Sequence, residues 1–79
     1  MVDIVSPLPG IFYRRPGPGK PVFVEEGAAV DAGQAIGMVE IMKQFTEIGA
    51  AAAGVVGTFR IEDGGMVNPG DVIVTVDEG

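Results

Sequence analysis

The side chains able to do chemistry in this chain are few, and the scarcity is informative. There is no histidine and no cysteine, which excludes disulfide staples, the common zinc sites and any catalytic pair built on imidazole or thiol. No other pair of groups stands out as able to activate a nucleophile or hold a metal. What remains is amine chemistry at two lysines, Lys20 in RRPGPGKP and Lys43 in VEIMKQFTEI. A lysine amine ends a flexible four-carbon stem and becomes a nucleophile once deprotonated. The setting of Lys43 is the unusual one. β-Prone residues flank Met42 and Lys43 on both sides, which predicts two strands joined by a tight turn. Such turns favour Asn-Gly, Asp-Gly or Gly-Gly, because both central residues take positive φ. Here a bulky thioether and an amine occupy them, and sequences break local rules in this way chiefly at functional sites.

The elements that must hold such a turn are short strands punctuated by glycine and proline. The strands predicted are Asp3–Ser6, Gly10–Tyr13, Pro21–Val24, Ala35–Ile41, Gln44–Ile48, Gly54–Phe59 and Val72–Val76. No segment carries helical apolar spacing with caps at both ends. GAAAAG at Gly49–Gly54 is too short for a helix and reads as a connection. Thirteen glycines and six prolines suit many turns, and the pattern is that of an all-β sandwich or barrel of antiparallel strands. With 79 residues the chain is one small domain spanning 1–79, near the size at which folding buries only about 60% of the unfolded surface. A hydrophobic fraction of 47% supplies the core that must hold it unaided.

An internal repeat sharpens the architecture. EEGAAVDAGQAIGMVE (Glu25–Glu40) lies over EDGGMVNPGDVIVTVD (Glu62–Asp77) at a constant separation of 37 residues. Glu25 meets Glu62, Gly27 meets Gly64, Gly33 meets Gly70, Ile36 meets Ile73 and Val39 meets Val76. Upstream, PLPGIF at Pro7–Phe12 resembles AAAGVV at Ala51–Val56, but 44 residues apart, so the first half carries seven additional residues within Arg14–Pro21. Two similar β-halves, each with an apolar face, bury those faces against one another. The expected fold is a sandwich with quasi-two-fold symmetry, and the Met42–Lys43 turn falls on the link between its halves.

A formal charge of −6 argues against nucleic acid and against an anionic membrane surface, both of which need clustered Lys and Arg. MVDIVSPLPG lacks the apolar run of a signal peptide, and nothing approaches the roughly 20 apolar residues of a membrane span. A cytoplasmic location follows as the expectation. GPGK at Gly17–Lys20 lacks the earlier glycine of a phosphate-binding loop, with Arg14 in its place, and no helix follows it. Arg14 and Arg15 read as a solvated pair, and Tyr13 as packing against the insertion.

VEIMKQ resembles the E-A-M-K-M signature of biotinyl domains, in which the lysine carries biotin through an amide bond. The resemblance extends over nearly the whole chain. SPLPGIFYRRPGPGKPVFVEEGAAVDAGQAIGMVEIMK is similar to the corresponding half of the biotin carboxyl carriers of acetyl-CoA carboxylase, the S-P-x-x-G-x-F-Y-R segment above all. What the resemblance implies is a flattened barrel of two four-stranded antiparallel sheets with Lys43 at a β-turn. It also implies a protruding thumb near the biotin, matching the insertion at about 14–21 and its residues Arg15, Pro16, Gly17, Pro18, Gly19 and Lys20. A biotin protein ligase would acylate Lys43 from biotinyl-adenylate, recognising Glu40, Ile41, Met42 and Gln44. A biotin carboxylase and a carboxyltransferase would load and unload the tethered ring, with acetyl-CoA the foremost acceptor, and the chain itself would be a non-catalytic carrier. Ile41 stands where the family has alanine, and Gln44 where Met or Leu is usual. Two alternatives remain open. One is a lipoyl carrier, whose signature places an acid where Met42 stands; the other is a barrel that carries nothing and serves as an interaction module.

Overall fold

Runs of β-branched residues between turns set the strands, and alternation sets which face each strand buries. The computed structural model describes all 79 residues, Met1–Gly79. It contains eight strands: β1 (Val2–Val5), β2 (Gly10–Tyr13), β3 (Ala29–Val30), β4 (Ala35–Ile41), β5 (Gln44–Gly49), β6 (Gly54–Phe59), β7 (Met66–Val67) and β8 (Val72–Asp77). They form two four-stranded sheets, ordered β1-β8-β6-β3 and β5-β4-β2-β7, with every pairing antiparallel.

The repeat explains those orders. Exchanging the halves (β1 with β5, β2 with β6, β3 with β7, β4 with β8) turns one sheet order into the other. The hydrogen bonds follow the same exchange. Gly33 N–H donates to the Ala50 carbonyl at 2.8 Å, and Gly70 N–H donates to the Ser6 carbonyl at 2.9 Å. Gly27 and Gly64 take φ of 88° and 85°, while Gly33 and Gly70 take 84° and 88°, which is why the repeat keeps glycine there. Between the sheets lie Ile4, Phe12, Ile36, Val39, Ile48, Val56, Val67, Ile73 and Val76, all buried.

Four features differ from the sequence expectation, the smallest being that β5 and β8 each end one residue later than predicted, at Gly49 and Asp77. Pro21–Val24 is not a strand: Pro21 has no N–H for a ladder, and the segment is tied by Phe23 N–H donating to the Arg14 carbonyl at 2.8 Å. Val24 is nevertheless buried. β3 and β7 were not anticipated, because two residues are too few to show alternation. β1 starts one residue early and releases Ser6, whose hydroxyl turns inward and donates to the Leu8 carbonyl at 2.6 Å.

Within each half, backbone comes closest to backbone at Gly10 and at Gly54. A Cβ at Gly10 would collide with the backbone carbonyl oxygen of Glu40 and sit 2.8 Å from Val39 Cγ1. A Cβ at Gly54 would meet the carbonyl of Asp77 and sit 2.8 Å from Val76 Cγ1. Both obstructions are backbone, so neither can swing aside. Gly54→Ala is expected to lose about 1–3 kcal/mol, the usual cost of overpacking, in chemical denaturation. Gly10→Ala is expected to lose a similar amount, and an unchanged midpoint in both variants would show that the contact relaxes freely.

Candidate functional site

The hairpin β4–β5 is the longest paired element, running from Ala35↔Gly49 to Ile41↔Gln44. The Ile41↔Gln44 pairing leaves only Met42 and Lys43 to reverse the chain. They have φ of 51° and 65°, and no other non-glycine residue has positive φ. Two positive φ values at consecutive central positions are those of a type I′ turn. For L-residues with a Cβ this costs roughly 1–2 kcal/mol each, a strain the flanking ladder must hold. The tip faces solvent: Met42 is 91% exposed, and Lys43 is exposed with no ion pair. A free amine on a rigid two-residue turn, beside an apolar side chain that gains nothing from folding, fits a lysine presented to another protein for acylation. Ile41 and Gln44, the residues on either side, are exposed too.

Lys20 is presented differently. Its backbone closes a Pro/Gly loop, with its N–H donating to the Gly17 carbonyl at 3.1 Å and its carbonyl accepting from the Arg15 guanidinium at 3.3 Å. No paired strand flanks it.

Below the tip, the outer face of the β5-β4-β2-β7 sheet carries a cleft of about 300 Å³. Met38, Glu40, Tyr13 and Phe45 form its floor from three strands, and Arg15, Pro16, Gly17 and Pro18 overhang it. The structure thus brings Arg15–Pro18 together with Glu40; Gly19, Lys20, Ile41, Met42 and Gln44 lie outside this cleft. Glu40 is half-buried, with its Oε1 accepting a hydrogen bond from the Tyr13 hydroxyl at 3.2 Å. The Tyr13 ring lies against Phe45, centroids 6.4 Å apart and tilted by 47°. Desolvation raises the Tyr13 phenol above its ordinary value of 10.0, and the Glu40 carboxylate and then the charge of Asp63 push the same way.

The overhanging loop is anchored rather than solvated, which corrects the reading of Arg14 and Arg15. The Arg14 guanidinium lies 4.2 Å over the Phe59 ring and donates to the Val24 carbonyl at 3.4 Å. Asp63 accepts the Arg14 backbone N–H at 2.8 Å and pairs with the Arg15 guanidinium at 3.7 Å. That ion pair is exposed enough to add little by itself; the hydrogen bonds to backbone and the stacking on Phe59 do the anchoring. Sequence reasoning passed over Phe45, Met38 and Asp63. Phe45 and Glu40 face each other across the hairpin, a pairing that a two-residue turn already dictates. Asp63 lies in the repeat 37 residues from Glu26, which likewise caps a backbone donor, Phe59 N–H at 2.8 Å.

A family model described as "Biotin-requiring enzyme" matches residues 2–76. The chain is 44% identical over 63 residues to the biotin carboxyl carrier protein of acetyl-CoA carboxylase 2, chloroplastic, of Arabidopsis thaliana, covering 80% of this chain and 25% of that protein. It is 40% identical over 72 residues to the biotin carboxyl carrier protein of acetyl-CoA carboxylase of Haemophilus influenzae, covering 91% and 46%. The fold is similar to part of the Kluyveromyces lactis urea carboxylase, with a TM-score of 0.78 at 28% identity over 95% of this chain and 6% of that one. The chain therefore spans from a quarter to about half the length of these two carrier relatives.

Two outcomes follow from the geometry. Replacing Met42-Lys43 by Asn-Gly should stabilise the fold by about 1–2 kcal/mol in chemical denaturation, because the new residues accept positive φ; no gain would mean that the turn is unstrained. A phenol raised in the folded state favours folding below its unfolded value, near 10.0, and that contribution is lost as pH rises through the folded value. Stability should thus fall above about pH 10 in the wild type, and less in Tyr13→Phe. Tyr13 is the only tyrosine, so tyrosinate absorbance reports its ionisation directly.

Proposed function

The chain belongs to the biotin-requiring enzyme family, and from that premise we propose that it is a biotin carboxyl carrier with biotin joined to Lys43. The supporting observation is the tip itself: an unpaired, exposed lysine at one of only two non-glycine positive-φ positions, beside an exposed methionine. Lys43 Nζ, once deprotonated, attacks the activated carboxyl carbon of biotin. The activating group leaves, an amide forms and the released proton goes to solvent. The lysine loses its charge, taking the formal net charge from −6 to −7. When attached, biotin supplies a ring nitrogen that accepts a carboxyl group at one reaction centre and gives it up at another.

The protein's own residues contribute presentation. The paired strands keep the tip rigid, which lowers the cost of docking into each partner. The tether turns successive encounters into near-intramolecular ones by raising effective concentration. In this reading the partners are a biotin protein ligase, a biotin carboxylase and a carboxyltransferase. Glu40, Ile41, Met42 and Gln44 form the surface that the ligase meets, and Arg15–Lys20 is the thumb beside the cofactor. The chain is one domain carrying no catalytic group of its own, working in the cytoplasm. Acetyl-CoA is the favoured acceptor, since the carriers matched at 44% and 40% identity serve acetyl-CoA carboxylase by name. A lipoyl carrier is the second reading; Met42 before the lysine, where lipoyl domains place an acid, favours biotin.

Intact mass after incubation with biotin, ATP and a biotin ligase tests the assignment. Wild type and Lys20→Ala should each gain one biotinyl group, and Lys43→Ala none. The melting temperature of Lys43→Ala should barely move, as for other exposed sites. Labelling of Lys43→Ala, or acceptance of lipoate and never biotin by the wild type, would overturn it.

A further inference from the structure

The hairpin projects beyond the strand that supports it. The β2–β4 ladder runs Tyr13↔Met38, Phe12↔Val39 and Ile11↔Glu40, and ends there. Gly10, the next residue, crosses against the Glu40 carbonyl. Ile41, Met42, Lys43 and Gln44 therefore extend past the last β2–β4 pair, with only Gly10 of β2, which has no side chain, at their root. Tyr13 grips that pair from the side. Its hydroxyl donates to Glu40 on β4, and its ring rests on Phe45 on β5, so one side chain spans three strands at the root of the projecting turn.

We propose that Tyr13 is a positioning residue for modification of Lys43, holding the Glu40 carboxylate in a single orientation beside the tip so that the modifying enzyme meets it preset. The proposal rests on the carrier reading. A glutamate free to rotate is costly to immobilise on binding, because its rotamer freedom is lost at that moment. A phenol that has already selected one rotamer removes part of that cost. Only Oε1 is engaged by the phenol, and Oε2 is left for a partner's donor. The same bond makes Glu40 and Tyr13 one unit, so the effect of Tyr13 must pass through Glu40.

A double-mutant cycle separates this role from a merely structural one. Tyr13→Phe keeps the ring on Phe45 and removes the hydrogen bond. With a biotin ligase acting on the unmodified protein, Tyr13→Phe should raise KM by about 2- to 10-fold, the worth of one immobilised side chain, with kcat and melting temperature little changed. In a Glu40→Ala background the same substitution should cost nothing further. Side-chain scalar couplings of Glu40, measured by NMR without any ligase, should report one χ1 rotamer in the wild type and averaging in Tyr13→Phe. An unchanged KM in Tyr13→Phe, an equal penalty in the Glu40→Ala background, or unchanged Glu40 couplings would each overturn the proposal while Lys43 is still labelled. A wild-type protein left unlabelled at Lys43 would instead overturn the carrier reading, and this role with it.

Discussion

The structure depends on backbone closing against backbone at two symmetry-related points. At Gly10 and Gly54 the chain passes so near the carbonyls of Glu40 and Asp77 that no side chain fits between them. Those contacts set where β2 lies against β4 and where β6 lies against β8, and with them how the two sheets enclose Phe12, Val39, Val56 and Val76. A chain of this size has no disulfide to fall back on, so its core must close by packing alone. Two glycines in register make that closure possible. The contact at Gly10 does more, because Glu40 is the residue from which the projecting turn begins.

The pseudosymmetry is broken at the Met42–Lys43 turn. The partner of the β4–β5 tip under the two-fold is the meeting of β8 with β1, where the C-terminus and N-terminus lie side by side. One end of the barrel thus carries a strained, continuous turn, and the other carries the antiparallel pairing of β1 with β8, Val2 opposite Val76. Strain at Met42 and Lys43 survives because the ladder behind them runs unbroken from Met38↔Glu47 to Ile41↔Gln44 and leaves the turn no other path. A less strained sequence would make a more stable protein without an amine at the apex, so stability and presentation are opposed at these two positions.

The second asymmetry is the loop at Arg14–Pro21, which the other half lacks. The two halves use equivalent turn carboxylates, Glu26 and Asp63, to accept a backbone N–H from the opposite half. Asp63, from the second half, also meets Arg15, and Arg14 stacks on Phe59. The same capping carboxylate thus also holds the loop that overhangs the face below Lys43. The cleft between loop and hairpin is therefore a product of both halves, with Tyr13 and Glu40 contributed by the first and Phe45 and Asp63 by the second.

Much of this was legible in the residues. The period-37 repeat determined two similar halves, because aligned glycines at turns and aligned Ile and Val at core positions admit only one mutual arrangement. The flanking strands determined that Met42 and Lys43 occupy a two-residue turn, since register in a hairpin follows loop length. Local pattern failed where a segment's state is settled by distant partners. Pro21–Val24 is apolar enough for a strand, yet no edge is offered to it; β3 and β7 are strands only because β6 and β2 lie beside them. Side-chain pairing was likewise beyond the sequence. That Arg14 lies on Phe59, that Asp63 holds the loop and that Tyr13 reaches Glu40 and Phe45 together are facts of three-dimensional proximity between residues 27 to 49 positions apart. Composition and spacing determine which residues can react and which turn presents them, because those are local properties of the chain. Only the folded sheets decide what surrounds that turn, because its neighbours come from strands that pair across the whole length of the sequence.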